Sequence, residues 1–346
     1  MKRALFLILA AGVIYFLWES SDRTGIPSPN PDHKLSYTGS IGIGKDKLDR
    51  SLFSFKANLT KLDYVSLYWY NLDDDGRISR DDSISAEMEE EVLSLSKENN
   101  LKIMMGIGDH GDVGRADEIL DDKDTQKEHF SDVLETAAEK GYDGVTIDYE
   151  NLKNNQEEEF TEYIRTLSKE IKNTGKILSI SIPVETEGRV THGINLTEIG
   201  KIADRLHLNI YEEYGQDTGP GPIASFEWVN AVIKNALKQG VPAEKIILGT
   251  AHSGHDWIIE PEEEFYKDMR TAETLTILAG TGVELRWDEA KRANFFEYTD
   301  EGQKHQVWLE DASSFKAKID LAKAYELGGI FIWYLGGEDP GIWEIL

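Results

Sequence analysis

From Tyr37 onward, short apolar runs alternate with amphipathic, charged stretches. Ser40–Ile43, Asp63–Tyr70, Leu101–Ile107, Val145–Tyr149, Ile177–Val184, Arg205–Ile210, Lys245–Thr250 and Gly329–Trp333 read as strands, rich in β-branched and aromatic residues. Ser85–Asn99, Lys127–Lys140, Glu157–Lys172, Phe226–Gln239 and Ala317–Leu327 carry the helical period, and a further helix ends at Ile199–Asp204. The strands are continuously apolar, as expected where both faces are covered. The alternation predicts an α/β fold, a (β/α)8 TIM barrel.

The rhythm breaks between the seventh and eighth strands. There Val283–Asp288, Phe295–Thr299 and Gln306–Leu309 read as three short strands, with Tyr298–His305 turning between two of them. This predicts a small, β-rich α+β insertion domain over residues 258–316. The barrel is then 37–257 and 317–346.

The N-terminal end is different in kind. Lys2 and Arg3 precede the apolar run Ala4–Trp18, which Glu19, Asp22 and Arg23 end. Residues 1–18 read as a signal-anchor or signal peptide. An A-x-A cleavage site is missing just after the run, which favours an uncleaved anchor with its basic end inside. Residues 19–36, including Thr24–Leu35 with its three prolines, read as a linker. The expected location is the outer face of a bacterial cell membrane, or secretion.

Candidate chemistry concentrates at strand ends. In Gly141–Leu152, GYDGVTIDYENL, Asp148 and Glu150 stand two apart and project to one face, with Ile147 and Tyr149 on the other. Crowding two carboxylates raises the pKa of one and makes a proton donor near neutral pH; a salt-bridged strand end is the structural alternative. Asp109, Glu185, Tyr211, Glu212 and Trp333 fall at other strand ends, where barrels place their sites. A net charge of −27 argues against nucleic acid and anionic membrane surfaces as partners. The chain has no cysteine, and His110, His252 and His255 lack metal-ligand spacing. No metal site and no cofactor are expected. The Asp73–Gly76 DDDG reads as a turn.

These residues resemble glycoside hydrolase family 18. Its D-G-x-x-x-D-x-E signature stands here as Asp143, Gly144, Asp148 and Glu150, its sixth-strand motif as Asn209-Ile210-Tyr211-Glu212, and its eighth-strand Trp as Trp333. Pro220–Ser225, Gly254–Trp257, Arg286–Ala290, Phe296–Gly302 and Val307–Ile319 resemble the branch of spore-cortex and cell-wall N-acetylglucosaminidases. The resemblance implies a retaining, substrate-assisted glycosidase acting on β-linked N-acetylglucosamine polymers, peptidoglycan or chitin-like. It implies Glu150 as acid, Asp148 as partner of the substrate acetamido group, and Tyr211 beside them. Trp333, Glu212, Asn209, Tyr70 and Asp143 are the substrate-binding candidates, although Asp143 alone reads as a clamp on the strand entry. The pattern departs at Thr146, where the family often has another Asp, at Glu212, where it has Asp, and at Ser253. A catalytically silent, lectin-like barrel is the alternative function.

Overall fold

The computed structural model describes residues 25–109, 114–184, 193–260 and 262–346. The expected N-terminal anchor, most of the linker's first half, His110 and Glu185 lie outside these residues. No helix among the described residues is long and apolar enough to cross a membrane.

Eight parallel strands close into a barrel. They are β1 (Ser36–Ile41), β2 (Tyr64–Leu72), β4 (Lys102–Gly108), β5 (Gly144–Asp148), β6 (Ile177–Pro183), β7 (Arg205–Asn209), β8 (Ile246–Ala251) and β14 (Gly329–Trp333). Each pairs with the next, and β1 pairs with both β14 and β2 to close the ring. A short β3 (Ile78–Arg80) runs antiparallel to the end of β2.

Alternation on these strands builds two shells. Val145 and Ile147 of β5, Leu178, Ile180 and Ile182 of β6, and Leu206 and Leu208 of β7 are fully buried in the main core against the helices. The helix Glu157–Asn173 supplies Phe160, Ile164, Leu167 and Ile171 to that core, one stripe at helical spacing. Tyr68, Ile247 and Phe331 form a separate cluster topped by Trp333. A β-carbon on Gly106 would lie 2.9 Å from the Tyr68 Cα. That glycine leaves the room Tyr68 occupies.

The sheet between β8 and β14 has five strands in the order β10-β9-β13-β12-β11, all antiparallel. They are β9 (Ser253–Glu260), β10 (Glu262–Arg270), β11 (Arg286–Asp288), β12 (Ala293–Asp300) and β13 (Gln303–Leu309). The helix Thr271–Thr281 follows β10, making the unit α+β. The last three strands match the three short runs in the sequence. The first two were not expected, and β9 begins ahead of residue 258. β9 starts two residues after β8 ends, so the sheet rises directly from the barrel rim. A buried ion pair, Lys318 Nζ to Glu310 Oε2 at 2.5 Å, ties its last strand to the helix Ala312–Ala324.

Candidate active site

The strand β5 is held at both ends. The helix before it is capped by Asp122, whose carboxylate accepts from the Asp124 and Thr125 amides, and it ends on Gly141 at φ 76°. Asp143 then accepts from Lys102 Nζ at 2.9 Å and the Ile103 amide at 3.0 Å. Asp143 therefore clamps the entry of β5, at the end of the barrel opposite Asp148. The candidate Asp143 is thus set apart from the carboxylates at the barrel mouth, with Gly144 to Ile147 between it and Asp148.

Beyond the strand, Tyr149 is buried on the outer side, its hydroxyl 3.3 Å from His129 Nε2. His129 Nε2 also meets the Tyr163 hydroxyl at 2.9 Å, and Nδ1 meets the Gly76 carbonyl at 3.0 Å. A carbonyl only accepts, so Nδ1 carries the proton and Nε2 accepts from the tyrosines. Burial keeps this histidine neutral, its pKa down at about 4. With Tyr149 locked outward, Asp148 and Glu150 face the mouth of the barrel.

There the sequence candidates converge. Asn209, at the end of β7, donates from Nδ2 to Ser181 Oγ at 3.0 Å and lies 3.4 Å from Glu150 Oε1. Tyr211 follows on the same strand end and faces both Glu150 and Asp148, whose charges, after burial, raise its hydroxyl pKa. Glu212 adopts φ 69°, a left-handed backbone in which the chain turns sharply as it leaves the strand. Trp333 ends β14 and meets Tyr68 edge-on, with ring centroids 5.6 Å apart.

Both carboxyls are pushed toward protonation. Burial first, and then Glu150, raise Asp148 well above the ordinary aspartate range, while the Ser181 hydroxyl opposes the rise. Asp148 Oδ1 is buried without a hydrogen-bond partner. Glu150 is open to the groove, yet the surrounding walls remove enough solvation to raise its pKa, and Asp109 and Glu212 raise it further. Asp109 is buried and accepts from the Asn151 amide at 3.0 Å, just past Glu150. Both carboxyls at the barrel mouth therefore hold a proton more readily than an ordinary carboxylate does.

Tyr70 is not part of this site. A bulge between Leu67 and Tyr70 shifts the register of β2 against β4, so alternation reverses along the strand. Tyr70 points outward, donates to Glu89 Oε1 at 2.8 Å and packs edge-on against Tyr142. Tyr68 takes the inward position. Its hydroxyl pKa is raised by burial and then by Asp148. Thr146 lies two residues below Asp148, fully buried, with Oγ1 unpartnered.

A cavity of about 670 Å³ opens beside the carboxylates. Tyr211, Glu212 and Trp333 line it together with Tyr214, His252, Asp268 and residues of β10. The inserted sheet is thus one wall of the groove. Of the strand aromatics Tyr68, Trp69 and Tyr70, the sequence singled out Tyr70 where Tyr68 faces the site; Ser181, Tyr266 and Asp268 had no signal in the sequence. Among the described residues, no group of three His, Asp or Glu side chains could hold a metal ion.

Comparison with known proteins agrees with this geometry. Residues 34–338 match the family model described as glycosyl hydrolases family 18. The cortical fragment-lytic enzyme of Bacillus subtilis is 28% identical over 268 residues, 74% of this chain and 62% of that protein. A putative sporulation-specific glycosylase, YdhD, of the same species is 26% identical over 231 residues, 65% of this chain and 55% of that protein. The chain therefore spans a little over half the length of these two relatives. Among solved structures, the Bacillus cereus spore cortex-lytic enzyme SleL superposes with a TM-score of 0.81 at 22% identity, covering 90% of this chain and 73% of that one. A chitinase from Chromobacterium violaceum superposes at 0.79 with 22% identity, covering 90% and 97%. These structural likenesses show the fold.

Proposed function

Because the chain belongs to the glycosyl hydrolases family 18, we propose that it hydrolyses β-linked N-acetylglucosamine polymers with retention of configuration, the substrate supplying the nucleophile. The convergence of Glu150, Asp148, Asn209 and Tyr211 at one barrel mouth carries this reading.

Glu150, protonated in the resting state, gives its proton to the glycosidic oxygen as the bond to the anomeric carbon breaks. The carbonyl oxygen of the substrate's 2-acetamido group closes onto that carbon, forming an oxazolinium ion. Asp148 accepts the acetamido N–H bond and offsets the positive charge that develops there. The Tyr211 hydroxyl donates to the acetamido oxygen and holds it in line. Trp333 is the floor on which the sugar stacks. Glu150, now ionised, takes a proton from water, which opens the oxazolinium from the face the leaving group left. Thr146 adds no second charge beneath Asp148.

Peptidoglycan glycan strands are the first substrate in this reading and chitin-like oligomers the second. Relatives named for cortical fragments and sporulation support that order. The basic start and apolar run of residues 1–18 support export, with action on the outer face of the membrane or beyond it. Incubation with both glycans, mass spectrometry of the products and proton NMR of the first anomer formed test the reading. Shortened oligosaccharides with an initial β-anomer are expected. An initial α-anomer, or no shortening of either glycan, contradicts it.

A further inference from the structure

The ladder of β5 stops short of the acid. Asp148 is its last pair with β4, and its pairing with β6 ends one residue earlier, at Ile147. Tyr149 and Glu150 lie beyond the strand. Side chains, rather than sheet hydrogen bonds, must then fix the direction in which Glu150 leaves it. An anchor stands on either side of Glu150. Asn151 gives its amide to Asp109 Oδ2 at 3.0 Å, and its Nδ2 lies 3.4 Å from Oδ1. The other anchor is the Tyr149 hydroxyl, which meets His129.

His129 is fully buried on the helix Lys123–Lys140 and touches three other elements. Its Nδ1 donates to the Gly76 carbonyl at 3.0 Å, in the turn between β2 and β3. Its Nε2 faces the Tyr163 hydroxyl at 2.9 Å, from the helix Glu157–Asn173, and the Tyr149 hydroxyl at 3.3 Å. The Gly76 bond settles which nitrogen carries the proton, and so aims the lone pair at the two hydroxyls. The turn is seated closely on the same helix: a β-carbon on Gly76 would lie 2.6 Å from Thr125 Cγ2. Phe130 and Phe160 pack on the Tyr163 ring, with centroids 5.3 and 6.0 Å away. Tyr149 and Tyr163 are both buried, so a hydroxyl that loses its partner here is left without water to replace it.

We infer that His129 is a positioning residue for the hydrolysis: by holding Tyr149 it fixes the directions in which Asp148 and Glu150 face the groove. This inference rests on the hydrolase reading above. His129 touches neither carboxyl and acts through the residue between them. The Asp73–Gly76 turn gains a use as well, because its Gly76 carbonyl sets the orientation of the imidazole.

The test is a set of variants of the full chain, with kcat and KM measured by reducing-end release from N-acetylglucosamine oligomers. Tyr149→Phe removes the hydroxyl alone. It should lower kcat by about tenfold or more, since a misplacement of about 1 Å can cost roughly 10²-fold, while KM stays within about threefold. His129→Phe should lose as much. The double substitution should lose no more than the larger single loss, because both changes cut the same link. His129→Gln can donate to Gly76 from its amide and accept at its oxygen, and should keep kcat within about threefold of the unsubstituted chain. Thermal melts followed by circular dichroism report whether each variant folds. Where His129→Phe does not fold, Tyr149→Phe and His129→Gln decide. An unchanged kcat in folded Tyr149→Phe overturns the inference and leaves the hydrolase reading standing. Losses that multiply in the double substitution overturn it too, as does a folded His129→Gln that loses tenfold or more. An unsubstituted chain that releases no reducing ends overturns the hydrolase reading itself, and the inference with it.

Discussion

At the residue scale, the site turns on one proton. In the proposed mechanism Glu150 must be protonated to act, so activity is expected to fall as pH rises through its pKa. That pKa is raised by burial and then by the charges of Asp109 and Glu212. Asp109→Asn removes one of these charges while keeping a side chain that can bond Asn151. The descending, alkaline limb of the kcat/KM profile should therefore move to lower pH. An unmoved limb, measured on several substrates, would show that Asp109 does not act on the acid. Tyr68 illustrates the same scale from another direction. It and Tyr70 are the same residue type two apart on one strand, but the bulge between Leu67 and Tyr70 gives them opposite faces. The choice of Tyr70 over Tyr68 as a site residue failed there, because alternation holds only while a strand stays in register.

At the element scale, most barrel strands were readable as apolar, β-branched runs, and their number and order fit a closed barrel; β1, SYTGSI, is largely polar and begins ahead of the expected Ser40–Ile43 run. The missed strands are instructive. β10 reads EEEFYKDMR, which has neither the apolar continuity of a covered strand nor clean alternation. It pairs with β9 through a register irregularity between Glu262 and Tyr266. Asp268 and Tyr266, which face the groove, could not be found without it. Outside the barrel, Glu89 is 1% exposed and joins several elements. It accepts from the Tyr70 and Tyr142 hydroxyls, Arg80 and Lys140, at 2.8–2.9 Å. Burial opposes its ionisation, but hydrogen bonds from Lys140, Tyr70 and Tyr142 prevail and lower its pKa. Its contribution to stability is thus present above the ordinary carboxylate range and is lost as pH falls through its folded pKa. Glu89→Ala leaves two buried hydroxyls and two partly exposed cations without their acceptor. It should cost about 3 kcal/mol in urea unfolding at neutral pH, with the difference from the unsubstituted chain shrinking in acid. A cost within about 0.5 kcal/mol, the range of ordinary surface changes, would show that the network is incidental.

At the scale of the whole molecule, the barrel holds Glu150 and Asp148 at its mouth, and an inserted sheet closes one side of the groove. The division was visible in the sequence as a break in rhythm, and the carboxylate pair as two acidic residues on one strand face. The use of the wall was not visible, because Asp268 and Glu212 are far apart in sequence and meet only through the fold. The central claim concerns Glu150, and one comparison tests it most directly. Reducing-end release from N-acetylglucosamine oligomers is measured for the unsubstituted chain and for Glu150→Gln, with oligomer binding followed calorimetrically in parallel. Glu150→Gln should lose roughly 10²–10⁴-fold in hydrolysis, the usual worth of a general acid, while binding stays within a few-fold. Near-normal hydrolysis in Glu150→Gln would contradict the account.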